Sequence, residues 1–429
     1  MNLTATARNF HPALATKTML ALAFFLALTM ASQSAFAQTY NVLYNFTGQS
    51  DGGNPPAGVT LDHAGNLYGT TSAGGSANCS GYGFTGCGTV FKLSHRGGGW
   101  TLGLLHKFTS IPDGANPEAR VIFGPNGALF GTTSYGGTGE GPGYGTVFQL
   151  QPPANFCPTP SCPWLETQLY SFQNINGPTN PGAGDLVFDS QGNVYGTAPE
   201  GDCCFCGQGE CGGVFELSPN GGGGWDLSAS VFQGGVSRSP IAGLVLSDSG
   251  LFYGTTSELP GGLFFADGGL HTVFTFYIFS YPAHAIGGLI LDSAGDLFGT
   301  TSQGGTGGGG TVFEYSLNLT TLYNFAGPNQ PGSGPTATLL MDASGNLYGI
   351  TQIDGAYQQG SVFKLSESNG VWTLTTLHDF TGGADGGQPF GQLTMDASGN
   401  LYGTTSVGGN TVGSCYQNLG CGVVFEITP

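Results

Sequence analysis

An all-β fold, a seven-bladed β-propeller of four-stranded blades, follows from three features of the 429-residue sequence. The first is repetition. An octet that begins Gly-Asn-Leu-Tyr-Gly-Thr-Thr at Gly65 returns in close copies at Gly127, Gly192, Gly250, Gly295, Gly345 and Gly399. A second signature, Gly-Thr-Val-Phe and variants, follows at Gly88, Gly145, Gly212, His271, Gly310, Gly360 and Gly422. A third, Leu-Tyr-Asn-Phe, stands at Leu43 and Leu322, with variants at Leu105, Leu169 and Leu377 and degraded copies near Val231 and Phe279. The resulting period of about 56 residues is that of a four-stranded blade with generous loops. The second feature is that no segment after the N-terminal leader has a helical period. The third is an offset at the ends: the leader is followed by a third-signature strand, whereas the chain stops on the second signature at Val423–Pro429. The last repeat therefore lacks its outer strand, and pairing it with the N-terminal strand closes a ring without exposed sheet edges. An open superhelical stack would leave both ends in need of caps.

Within a repeat each strand has a local cause. In the first, residues 57–62 turn at Asp62–Gly65 into the octet strand, where Asp62 can accept main-chain N–H groups and Gly65 supplies a positive φ. The second repeat puts Pro125 at the turn position whose φ proline presets. A Gly-rich loop leads to the strand at residues 88–94, and Trp100–Phe108 completes the unit. Mid-strand glycines such as Gly69 weaken an isolated strand, so their repetition predicts close approach where blades stack, with Tyr68, Phe91 and Phe108 filling the space.

Residues 1–37 read as a signal peptide. Arg8 and Lys17 provide a basic region, Thr18–Ala31 an apolar run short of a membrane span, and Ala35–Ala37 a small-x-small cleavage site. Residues 38–429 then form a single exported repeat domain, with no membrane span after cleavage. The charge is acidic, formally -18 with only 8 Lys plus Arg. Such a surface repels phosphate backbones and anionic lipid, which excludes charge-driven nucleic-acid binding.

The ten cysteines fall into even-numbered local clusters: Cys79 with Cys87; Cys157 with Cys162; Cys203, Cys204, Cys206 and Cys211; and Cys415 with Cys421. Short-range disulfides in an oxidising compartment are the simplest reading, with the pairing inside the group of four left open. A zinc site there is disfavoured, because adjacent Cys203 and Cys204 spoil the usual spacing and no second pair complements them.

The combination of Asp-x-x-Gly-Asn-Leu-Tyr-Gly-Thr-Thr with Gly-Thr-Val-Phe-Lys-Leu resembles the Gloeo/Verruco repeat proteins, a family of secreted bacterial tandem-repeat proteins. The resemblance covers essentially the whole chain after the leader. It implies a repeat-built, exported protein and assigns no reaction or ligand. The blade pattern is also similar to that of NHL-type propellers.

No catalytic, metal or cofactor motif emerges. The turn residues Asp62, Asp189, Asp292, Asp342 and Asp396 are explained by turn formation, and Asp292–Asp296 lacks the alternating ligands of a calcium loop. Arg96, Arg120 and Arg238 are scattered. His106 and His378 occupy a slot held by tyrosine in sister repeats, while His271 and His284 have no repeat role. What departs from the repeat points to one face, where second-to-third loops and fourth-to-first loops gather. The candidate ligand-binding residues there are the aromatics Tyr82, Phe84, Tyr144, Phe264, Tyr357 and Tyr416 and the loop aspartates Asp51, Asp113 and Asp385. An acidic, aromatic face suits a glycan or an extracellular protein partner, so the expected function is an exported binding or scaffold propeller. The alternative is an extracellular hydrolase or lyase acting on polysaccharide or peptide, with loop carboxylates such as Glu140, Asp202, Glu210, Asp267 or Asp354 as acid and base.

Overall fold

The computed structural model describes residues 38–428 except for 77–78, 80–84, 139–142, 154–163, 174–176, 202–211, 233–237, 259, 272, 281–282, 328–333, 411–414 and 416–418. The strands form seven antiparallel blade sheets in a ring, with one further two-stranded ladder, Pro178–Thr179 against Glu200–Gly201. Blade 1 comprises Thr60–Leu61, Leu67–Thr71, Thr89–Arg96 and Gly99–Lys107, paired in that order from the centre outward. Blades 2 to 6 repeat this order, and blade 7 is assembled from Thr394–Met395, Leu401–Val407, Val423–Thr428 and the N-terminal strand Thr39–Asn45. The expected closure is thus the one observed.

The octet is explained residue by residue. Asp62 accepts hydrogen bonds from the amides of Ala64 (2.9 Å) and Asn66 (2.8 Å), from the Asn66 side chain (2.7 Å) and from the Tyr68 hydroxyl (3.0 Å). Gly65 sits at φ +78°, where a side chain is strained. Gly69 has a different reason. A Cβ there would stand 2.6 Å from Cζ of Phe91, its cross-strand neighbour, and the same relation holds for Gly131 with Phe148 and Gly403 with Phe425. The glycine notch therefore houses a ring from its own blade, where the sequence suggested an approach between blades. Thr70 donates to Ala119 O of the next blade (2.9 Å), as do Thr197 to Ala242 O and Thr255 to Gly287 O at the same distance. Thr71 faces Thr89 within the blade at 2.9 Å.

Blades are joined by aromatic pairs. The phenylalanine that ends each outer strand meets the housed phenylalanine of the next blade: Phe108 with Phe148, Phe172 with Phe215, Phe232 with Phe264, Phe279 with Phe313, Phe325 with Phe363 and Phe380 with Phe425, at centroid separations of 5.0 to 5.3 Å. Phe46 closes the circle on Phe91 at 5.2 Å. Such offset and edge-on geometries suit the ring quadrupole.

Blade 4 corrects one assignment. The segment at His271 was expected to supply the third strand; Val273–Ile278 is instead the fourth, and Gly262–Ala266 is the third. Phe264 consequently lies in a strand, not a loop. It is fully buried beneath Gly254, so it has no surface to offer a ligand, and its place among the candidate binding residues is withdrawn.

Candidate site in the central channel

The first strand of every blade lines the channel, and because successive side chains alternate, every second residue points inward. Counting back four residues from the turn residue gives the same inward position in each blade: Gly58, Arg120, Asp185, Gly243, Gly288, Thr338 and Gln392. Most repeats hold a small residue here. Blades 2, 3 and 7 do not, and their side chains meet. Arg120 donates from Nε (2.8 Å) and Nη2 (2.6 Å) to Oδ2 of Asp185, while its amide donates to Oδ1 (2.9 Å). Nη2 also reaches Oε1 of Gln392, whose Nε2 donates to Leu339 O at 3.1 Å.

Two residues further toward the loops, the inward positions include Glu118, Thr336, Ile241, Ile286 and Phe390. Together these layers bound a cavity of about 490 Å³ whose wall is mostly apolar. That is the size and character of a small-molecule site, apolar walls with a few convergent polar groups. Glu118 accepts a hydrogen bond from the Ser134 hydroxyl at 3.0 Å. Burial pushes its carboxyl above the usual range, against the smaller opposing effect of that bond. Thr336 is 5% exposed, and its Oγ1 has no hydrogen-bond partner among the described residues. His284, also in the wall, is shifted toward its neutral form by burial and lies 3.4 Å from the Ser302 hydroxyl.

The candidates expected on the loop face are placed differently. Asp51 receives the Thr47 amide (2.9 Å) and the Tyr44 hydroxyl (3.1 Å). Asp113 receives the Thr109 amide (2.9 Å) and stands 3.1 Å from Nε2 of His106; Asp385 receives the Thr381 amide (2.9 Å) and stands 3.2 Å from Nε2 of His378. All three aspartates brace the loop leaving an outer strand, and the Tyr/His slot is their partner. Tyr144 is half-buried in the blade 2–blade 3 core, and Tyr357 is exposed. Tyr82, Phe84 and Tyr416 lie outside the described residues, as do Glu140, Asp202 and Glu210 and the cysteines Cys157, Cys162, Cys203, Cys204, Cys206 and Cys211. Disulfides link Cys79 to Cys87 and Cys415 to Cys421, as the clustering predicted. No group of metal-ligating side chains is found among the described residues, and no helix among them is long and apolar enough to cross a membrane.

The channel residues were missed in the sequence because they occupy one register position spread over seven repeats. Aligning that position would have singled out Arg120, Asp185 and Gln392 as departures from a small-residue consensus.

The family model of the Gloeobacter/Verrucomicrobia repeat matches residues 29–159, 79–276 and 260–429. Among solved structures, a protein from Lactobacillus plantarum is similar at 14% identity, over 75% of this chain and 84% of that one, with a TM-score of 0.48. A luciferin-regenerating enzyme is similar at 12% identity over 92% and 96%, with a TM-score of 0.40, and a protein from Dyadobacter fermentans at 12% over 72% and 92%, with a TM-score of 0.43. At these values the likenesses carry no functional argument. No curated protein matches the sequence.

Proposed function

We propose that this chain, which belongs to the Gloeobacter/Verrucomicrobia repeat family, is an exported binding propeller that takes a small polar ligand, the end of a glycan, into its central channel. The observation that carries the reading is the polar layer of Arg120, Asp185 and Gln392 set across a mostly apolar cavity of about 490 Å³. A concave cavity of that size suits a sugar unit better than a flat protein surface. Fixed planar donors and acceptors are suited to orienting hydroxyl groups, and apolar walls to the faces of a sugar ring. Export rests on the leader-like residues 1–37 and on the two disulfides, which suit an oxidising compartment.

Binding is favoured over turnover by the state of the carboxyls. Glycoside cleavage uses two carboxyls flanking the bond, and Asp185 is committed to three donors of Arg120. The test is a glycan array probed with the purified protein and with Ile241→Trp, which fills the channel from blade 4. A defined set of glycans bound by the wild type and lost in the variant, with an unchanged melting temperature, is the expected result. Silence on the array, binding indifferent to Ile241→Trp, or release of cleaved sugar would overturn the reading.

A further inference from the structure

We infer that the ligand bears an amine: the channel takes an amino sugar whose ammonium pairs with Glu118 while a hydroxyl of the same ligand meets Thr336. The inference rests on the channel-binding reading above and goes beyond it by assigning the ligand's charge.

Charge accounting inside the cavity leads there. The Arg120 guanidinium is neutralised by Asp185 in a two-pronged contact, with Gln392 taking a further donor. That pair presents no free charge to a ligand. His284 is held toward its neutral form by burial and adds none. What remains is Glu118, one carboxyl in a mostly apolar wall, with a single neutral hydrogen bond from Ser134 among the described residues; burial favours its neutral form, and an adjacent ligand cation would hold it ionised. Its other oxygen has no protein partner among them. A charge so placed is costly unless it is paired. The group that would pair it is a cation, and no side chain among the described residues supplies one.

Thr336 is the second and independent sign. It belongs to the same layer as Glu118 but comes from blade 6, so the two approach the channel from different sides of the ring. Its buried hydroxyl has no partner among the described residues; a buried hydroxyl left unpaired is costly, and a ligand hydroxyl would satisfy it. Between the two, Ile241, Ile286 and Phe390 offer an apolar collar, and Phe390 adds a ring face suited to a cation or to the C–H face of a sugar. The long-range field agrees in sign. With a formal charge of -18, the protein draws cations toward it and repels anions, so an acidic sugar is disfavoured before it arrives.

The experiment compares two probes that differ only at their nitrogens, a glucosamine tetrasaccharide and its fully N-acetylated counterpart, by calorimetry near neutral pH at low salt. The amine-bearing probe should bind at least about tenfold more tightly. Glu118→Gln keeps the shape of the side chain and its bond to Ser134, and should weaken the amine probe by about thirtyfold or more, the cost of removing one partner of a buried charge pair. Thr336→Val should weaken both probes by a similar few-fold factor and leave the preference for the amine intact. Equal binding of the two probes, or amine binding unchanged in Glu118→Gln, would overturn the assignment. If the acetylated probe binds as tightly as the amine probe or more so, and Ile241→Trp abolishes both, channel binding stands and the amine falls. If neither probe binds, both fall.

Discussion

Replacing Phe46 by Ala tests ring closure more directly than any other single change. Phe46 follows the N-terminal strand and is fully buried. It meets Phe91 of blade 1 at 5.2 Å, and its amide donates to Gly422 O of blade 7 at 3.2 Å. It packs in one cluster with Val59, Leu67, Leu93 and Val424, so it touches residues from both ends of the ring. Removing a fully buried phenylalanine costs about 3–5 kcal/mol, transfer and cavity together, of which about 0.5–1.5 kcal/mol is the aromatic pair itself. Phe325 holds the equivalent place between blades 5 and 6, is 1% exposed and meets Phe363 at 5.3 Å. Phe46→Ala and Phe325→Ala should therefore lower stability by the same amount within about 1 kcal/mol, read as urea unfolding midpoints at equal slope. A closed ring requires a full core penalty at both seams, since each phenylalanine is then buried between two packed blades. If Phe46→Ala unfolds within about 0.5 kcal/mol of the wild type while Phe325→Ala loses the full amount, the N-terminal strand does not close the ring and the reasoning fails.

Two further outcomes follow from the repeat. Gly69→Ala should cost about 1–3 kcal/mol by forcing its Cβ onto the Phe91 ring, and adding Phe91→Leu should recover part of that loss; strictly additive effects in a double-mutant cycle would count against the notch. The second outcome concerns acid. For Asp62, Asp342 and Asp396 burial alone would raise the carboxyl, but the hydrogen bonds from the turn, led by the neighbouring asparagine side chain, outweigh it and hold each below the usual carboxylate range. A depressed folded value means stability that is present above the unfolded value near 4 and is lost as pH falls through the folded one. Melting temperature should thus drop below about pH 4, and the triple Asp→Asn variant should show a flatter profile there; an unaltered acid limb would refute it.

The fold was legible because repetition lets seven weak strand signals vote together. Each signature residue has one physical task, and the tasks agree: Gly65 turns, Gly69 makes room, Thr70 ties one blade to the next. Where a copy degrades, the vote fails. Val273 and Phe274 of blade 4 look like the second signature, yet it is Phe264 that lies under Gly254, because the loop before it is short. The loop aspartates misled for a different reason. Asp51, Asp113 and Asp385 sit on the expected face, but their oxygens are used by Thr47, Thr109 and Thr381, four residues back. That spacing was visible, and its meaning was local. The channel was illegible along the chain because Arg120 and Gln392 are 272 residues apart and become neighbours only when the ring closes.

That last blade also sets a timetable. Thr39–Asn45 is among the first parts of the domain to be made, and its partner Val423–Thr428 is the last. At about 5–20 residues per second, the early strand waits some tens of seconds for its match. Throughout that interval its edge and the seam of blade 1 beneath Phe46 have no native cover, and a half-made copy of the same chain carries a matching edge. Closure of each ring on its own N-terminal strand therefore competes with neighbouring nascent chains that could borrow each other's strands.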